Sequence, residues 1–75
     1  MRKEFIENIF EDCSDTICIS DFGIVHNGTR IDYISKDGDK ISFWAGNLME
    51  DTDYEELILT EEEELSYLEK ISDLI

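Results

Sequence analysis

The chain has 75 residues and carries 20 Asp and Glu against six Lys and Arg, which gives a formal net charge of −14 at pH 7. A chain of this length forms one small domain that buries only about 60% of its unfolded surface. Because phosphates and anionic lipids attract Lys and Arg and repel carboxylates, the charge argues against direct binding to nucleic acid or to a membrane. We therefore expect one compact acidic domain, residues 1–75, that binds a basic protein.

The composition is typical of a folded chain rather than of a disordered acidic tail, because 41% of the residues are hydrophobic and 11% are aromatic. Residues 49–75 hold eleven acids and one base, against nine acids and five bases in residues 1–48. No apolar run approaches the ~20 residues of a membrane span, and no signal-peptide pattern is present. We expect a cytoplasmic protein in which Cys13 and Cys18 are reduced. Both are expected to be buried as small apolar side chains.

Residues 2–13 are predicted to form an amphipathic helix. At about 100° per residue, five apolar residues share one arc; they are Phe5, Ile6, Ile9, Phe10 and Cys13. Glu4, Glu7 and Glu11 lie on the opposite side and form an acidic outer row. Ile17 and Ile19 then alternate with polar residues, which predicts a half-buried strand.

Two dipeptides, Asn27-Gly28 and Asp37-Gly38, predict β-hairpin turns, because both tolerate the positive φ angles of a type I′ turn. The expected strands are residues 22–26, 29–35 and 40–45. Two-residue loops would align Ile24, Ile31 and Trp44 on one face, and would place Ile34 opposite Ile41 on the other.

Residues 54–59 are compatible with a fourth strand or with the start of the last helix. We favour a break after them, because Thr60 and Glu63 have the spacing of a capping box. The second helix then begins near Glu61. Its apolar arc is Leu65, Leu68, Ile71, Leu74 and Ile75, and its opposite face carries Glu62, Glu69 and Asp73 beside Ser66. The predicted fold is α+β: an N-terminal helix, a three- to four-stranded antiparallel β-meander and a C-terminal helix.

The densest acidic run lies just before that break, and its carboxylates are Glu50, Asp51, Asp53, Glu55 and Glu56. From Asp51 it partly resembles a calcium-binding loop that would close at Glu62. The strict glycine of such a loop is replaced by Glu56, so hydrated surface acids are the preferred interpretation and no metal or cofactor is expected.

No catalytic constellation stands out. His26 is the single histidine, no family signature surrounds it or the two cysteines, and its place before a tight turn predicts an exposed side chain. We expect no enzymatic activity. Trp44 is expected in the core, or as an anchor for a partner if it is exposed.

The acidic rows suggest imitation of DNA, because fourteen net charges correspond to ~24 Å of duplex, the same order as the size of a compact chain of this length. By composition alone, the chain resembles the small phage and mobile-element proteins that inhibit host defence by imitating DNA, such as anti-CRISPR and anti-restriction proteins. The resemblance implies an inhibitor in the cytoplasm of a bacterial host that occupies the basic surface of a nucleic-acid-binding protein or nuclease complex.

The alternative is an acidic interaction module, or an immunity protein, that binds a basic partner without imitating DNA. The acidity of the outer faces would then serve solubility. A homodimer through an edge strand near residues 57–59 also stays open.

Overall fold

The computed structural model describes residues 2–11, 15–46 and 54–75. It contains an N-terminal helix, an antiparallel sheet of several strands and a C-terminal helix, which confirms the predicted α+β fold. The chain divides into a helical unit, Met1–Ser14 with Leu59–Ile75, and a sheet unit, Asp15–Ile58. That the whole chain folds as one domain stays a prediction.

The helical unit contains helix α1, Arg2–Ile9, and helix α2, Glu61–Leu74. Its buried apolar side chains are Ile6, Ile9, Phe10, Leu68 and Ile71. α1 ends four residues earlier than predicted and is followed by a turn at Phe10 and Glu11, while Cys13 lies outside the described residues. The stretch that follows, Asp-Cys-Ser-Asp, has low helix propensity, which explains the shorter helix.

The capping box at the start of α2 is present as predicted. The Thr60 hydroxyl accepts a hydrogen bond from the Glu63 backbone N–H at 3.2 Å, and the Thr60 N–H donates to Glu63 Oε1 at 2.9 Å. Four glutamates occupy the first turn, where negative charge interacts favourably with the helix dipole. The break after residue 59 follows from this local chemistry.

The described residues of the sheet unit, 15–46 and 54–58, form six strands, which make up a four-stranded antiparallel sheet and a separate hairpin. In chain order they are β1 Thr16–Cys18, β2 Val25–His26, β3 Thr29–Arg30, β4 Tyr33–Asp37, β5 Lys40–Ala45 and β6 Glu55–Leu57, with a 3₁₀ turn at Ser20–Phe22. The sheet order is β1-β4-β5-β6, and β2 pairs with β3. The predicted fourth strand is therefore β6, and β4, β5 and β6 form the meander.

The first hairpin turn agrees with the sequence prediction and the second does not. Asn27 and Gly28 have φ angles of 51° and 81°, as a type I′ turn requires. In the second hairpin Asp37 pairs with Lys40, so the loop is Gly38-Asp39, and Gly38 alone takes a positive φ of 62°. A glycine at the first central position is typical of a type II′ turn.

This turn changes the register of β4 and β5. Ile34 lies opposite Phe43, and Trp44 lies opposite Tyr33, so the predicted pairing of Ile34 with Ile41 is wrong. The shift moves partners by two residues, which keeps each side chain on its face because side chains alternate with period two. One face of the sheet carries a continuous apolar row of Ile17, Ile34, Phe43 and Leu57.

The predicted strand of residues 29–35 is interrupted at Ile31 and Asp32. The Asp32 backbone N–H donates to the Trp44 carbonyl at 2.8 Å, and its carbonyl accepts from the Ile19 N–H at 2.8 Å. The Asp32 carboxylate accepts from the Gly46 N–H at 2.8 Å and from Arg30 Nε at 2.7 Å. This buried aspartate joins β3 to the ends of β1 and β5.

Two expectations about burial are wrong. His26 is buried, with 7% exposure, whereas its strand neighbour Val25 is 52% exposed. Cys18 is exposed, because β1 directs Ile17 to the apolar face and its neighbour Cys18 to the other. The described part of the chain contains no helix with the length and apolar character of a bilayer span.

Candidate protein-binding surface

The outer face of α1 carries the first row of carboxylates. Glu4 and Glu7 are exposed on the helix, while Ile6 and Ile9 are buried on its other side. Glu11 is exposed in the turn two residues after the helix ends. The structure therefore places all three predicted acids in solvent, with two of them fixed on one helical turn about 5–6 Å apart.

The outer face of α2 carries the second row. Glu62, Glu69 and Asp73 are exposed, and Leu68 and Ile71 are buried on the opposite side. Glu62 and Glu69 are seven positions apart, about two helical turns, and the exposed side chain between them is that of Ser66. The row therefore has one gap.

The contacts between the helices show that they run parallel. Arg2 Nη2 binds Glu64 Oε1 at 2.7 Å near the start of α2, and Asn8 Nδ2 donates to Ser72 Oγ at 2.6 Å near its end. The two acidic rows therefore run in the same direction along the helix pair.

Two glutamates of α2 are engaged inside the helical unit. Glu63 closes the capping box and Glu64 binds Arg2. The six predicted acids of the two rows form no ion pair or side-chain hydrogen bond with another described residue. Sequence analysis missed Glu61, which is also exposed in the first turn of α2; the run of four glutamates concealed which ones the cap and the ion pair would use.

The C-terminal ends of the helices are acidic as well. Neither helix has a basic residue in its last turn, whereas Glu7 lies in the last turn of α1 and Asp73 in that of α2. Because the helices are parallel, the negative ends of both dipoles point the same way. Negative side chains at a helix C-terminus are unfavourable by about 0.3–1 kcal/mol each, so this end attracts cations.

The predicted acidic run before the last helix is only partly within the described residues. Glu50, Asp51 and Asp53 lie outside them. Glu55 and Glu56 are exposed in β6, where Glu55 lies opposite Ala45 and Glu56 opposite Trp44. The two carboxylates thus lie on opposite faces of the sheet. Glu55 occupies a hydrogen-bonded strand, unlike the fifth position of a calcium-binding loop.

No protein-family model, curated protein or solved structure matches this chain. The candidate surface is therefore interpreted from its own geometry.

Within residues 2–11, 15–46 and 54–75, no three His, Cys, Asp or Glu side chains are grouped closely enough to hold a metal ion. A cleft of about 400 Å³ is lined by Arg2, Glu61, Glu64 and Leu65, and the carboxylate of Glu64 already neutralises its cation.

The sheet unit presents a second feature, a half-buried aromatic cluster. Trp44 Nε1 donates to Ser35 Oγ at 2.8 Å. The ring of Tyr54 meets the Trp44 ring edge to face, with centroids 5.4 Å apart and an interplanar angle of 68°. Trp44 is neither fully buried nor fully exposed. Sequence analysis missed Tyr54, because the long connection between β5 and β6 does not fix their register.

Proposed function

We propose that the protein is a non-enzymatic inhibitor that acts in the cytoplasm of a bacterial host and occupies the basic, nucleic-acid-binding surface of a target protein by imitating DNA. The observation that carries the proposal is the pair of exposed carboxylate rows, Glu4/Glu7/Glu11 and Glu62/Glu69/Asp73, which follow two parallel helices and the turn after α1.

The spacing of carboxylates within each row is of the same order as that of the phosphates along a DNA strand. Within a row, neighbouring carboxylates on one or two turns are roughly 5–10 Å apart along the helix, compared with one phosphate per ≈ 3.4 Å of each DNA strand. A target that binds two phosphate strands with Lys and Arg would meet two rows of carboxylates.

The energetics of the helical unit also favour a basic partner. Residues 1–14 and 59–75 carry ten acids and three bases, a net charge of −7. Repulsion within this unit and the acids at both helix C-termini oppose folding. Approach of Lys and Arg side chains relieves both effects, so binding recovers free energy that the unbound fold lacks.

The test is competition with DNA. A panel of nucleases and DNA-binding proteins, each holding a fluorescently labelled duplex, is titrated with the protein and followed by anisotropy. We expect release of the duplex from a target, with an apparent affinity that falls steeply as salt rises, because the contacts are between charges. Release that is insensitive to salt would contradict the proposal.

Matched charge variants locate the surface. Glu4→Gln/Glu7→Gln/Glu11→Gln and Glu62→Gln/Glu69→Gln/Asp73→Asn should each weaken competition about tenfold, at a few tenths to 1 kcal/mol per exposed charge. The control, Asp15→Asn/Asp21→Asn/Asp37→Asn, removes three exposed charges from the sheet unit and should change competition much less. Equal losses in all three variants would assign the effect to net charge instead of the rows.

The second candidate is an interaction module or immunity protein that does not imitate DNA. The half-buried Trp44 and Tyr54 pair is the observation that favours it. In that case Trp44→Phe should weaken binding to the partner more than either carboxylate triple, and raising the salt concentration should have little effect. The same competition assay separates the two candidates.

A further inference from the structure

One face of the four-stranded sheet carries a row of side chains that crosses all its strands. Cys18 lies opposite Tyr33, Tyr33 opposite Trp44, and Trp44 opposite Glu56. Directly opposed residues of antiparallel strands share a face, with Cβ atoms about 4.5–5.5 Å apart. The row therefore places the carboxylate of Glu56, on the edge strand β6, beside the aromatic ring of Trp44.

The Trp44 ring is held in place before any partner binds. Its Nε1 donates to Ser35 Oγ, and the edge-to-face contact with Tyr54 restrains the ring plane. Tyr54 is itself 39% exposed, so the pair is open to solvent at its rim. A side chain that binds here meets an aromatic surface whose orientation is already fixed, which reduces the entropy lost on binding.

The charge on this part of the face is uncompensated. Glu56 is exposed and is the one charged residue of the row. At the far end of the same face, Asp37 and Lys40 lie opposite each other and balance in charge. The neighbouring row, Thr16, Ser35 and Ser42, is uncharged. A cation is therefore the ligand that complements Trp44 and Glu56.

We propose that Trp44, Tyr54 and Glu56 form a binding site for one arginine side chain of the partner protein. A planar guanidinium stacks on an aromatic face and donates in a fork to a carboxylate, which a lysine ammonium does not do. The inference rests on the proposed function in that the partner is basic. It adds a residue-specific contact to a surface that otherwise recognises charge.

The experiment uses the intrinsic fluorescence of Trp44, the single tryptophan of the chain. The protein is titrated with an acetylated, amidated Gly-Arg-Gly-Arg-Gly peptide and with its lysine counterpart of equal charge. We expect the arginine peptide to change Trp44 emission and to bind about two- to fivefold more tightly than the lysine peptide.

Two variants of the same strand provide the matched comparison. Glu56→Gln should reduce the arginine-to-lysine affinity ratio to about one, because stacking then lacks its carboxylate. Glu55→Gln removes the same charge from the opposite face and should keep the ratio. Equal affinity for both peptides, or an equal loss in both variants, overturns the proposal. Self-association without peptide that Glu56→Gln abolishes also overturns it, because a second copy would then occupy the site.

The outcomes separate this inference from the proposed function. If the protein fails to compete with DNA but retains its arginine preference, the proposed DNA mimicry is wrong and the arginine site stands. If competition with DNA persists while both peptides bind equally, the arginine site is wrong and the acidic rows stand. Glu4→Gln/Glu7→Gln/Glu11→Gln serves as a further control, since it should leave the arginine-to-lysine ratio unchanged.

Discussion

Charge reversal at the two ends of α2 tests whether the acidic helix termini govern stability. Asp73→Lys and Glu62→Lys both change the net charge by +2, and both positions are exposed. Asp73 lies in the last turn, where a carboxylate opposes the helix dipole, and Glu62 lies in the first turn, where a carboxylate favours it. We expect Asp73→Lys to stabilise the fold and Glu62→Lys to destabilise it.

The magnitude follows from the position of each residue. Asp73→Lys removes an unfavourable interaction with the helix terminus and adds a favourable one, each about 0.3–1 kcal/mol. The new lysine also lies four residues after Glu69 and three after Lys70, so its attraction to the first and its repulsion from the second, about 0.2–0.5 kcal/mol each, roughly offset. We expect a gain of about 1 kcal/mol for Asp73→Lys and a loss of similar size for Glu62→Lys. For a chain of this size, each shifts Tm by roughly 4–8 °C in its own direction.

The measurement is thermal and urea unfolding followed by circular dichroism, at low salt and at 1 M salt. The difference between the two variants should shrink at high salt, because exposed charges are screened. If both variants raise Tm equally, relief of net charge explains the effect and the dipole argument is refuted. If Asp73→Lys also weakens competition with DNA, then a more stable protein binds its target less well.

Two further predictions concern single hydrogen-bonding side chains. Thr60→Ala should lower the free energy of unfolding by about 1 kcal/mol, measured by urea denaturation. Thr60→Ser keeps the capping hydroxyl, so its free energy of unfolding should stay near that of the parent protein. Equal losses in the two variants would contradict a role for the cap. Asp32→Ala should cost about 1–3 kcal/mol in the same assay, because it leaves the Gly46 N–H without its acceptor. Arg30→Ala should cost less than about 1 kcal/mol, since the Arg30 side chain is 61% exposed; a larger loss for Arg30→Ala would reverse this assignment.

Features controlled by neighbouring residues could be predicted from the sequence. The capping box of Thr60 and Glu63 and the turn at Asn27-Gly28 depend on short-range hydrogen bonds and backbone angles, and both are present. The two acidic rows also follow from local periodicity, because burial of an apolar arc leaves the opposite face of a helix in solvent. The parallel direction of the helices could not be predicted, since it depends on contacts between residues far apart in the chain. Arg2 and Glu64 are separated by 62 positions, and Asn8 and Ser72 by 64.

Features that depend on tertiary packing were predicted less well. Val25 is the more apolar residue of its strand, yet the hairpin directs it to solvent and buries His26. Asp32 is one of 20 acids in the sequence, and nothing in the neighbouring residues indicates that it is buried. Cys18 is different, because the alternation of Ile17 and Ile19 already predicts its exposure; a general preference of cysteine for the interior was given more weight than the local pattern.

The contact between Arg2 and Glu64 has a consequence for the order of folding. Closing a loop of 62 residues in an unfolded chain costs about 4 kcal/mol in entropy. β1 and β6 are the two edges of the sheet, and its antiparallel order brings the start of β1 and the end of β6 to the same end of the sheet, about 14 Å apart. A preformed sheet therefore lowers the cost of pairing the helices. We therefore expect the helices to pair after the sheet has formed, so that a partially folded chain carries each acidic row on its own helix but does not hold the two rows together.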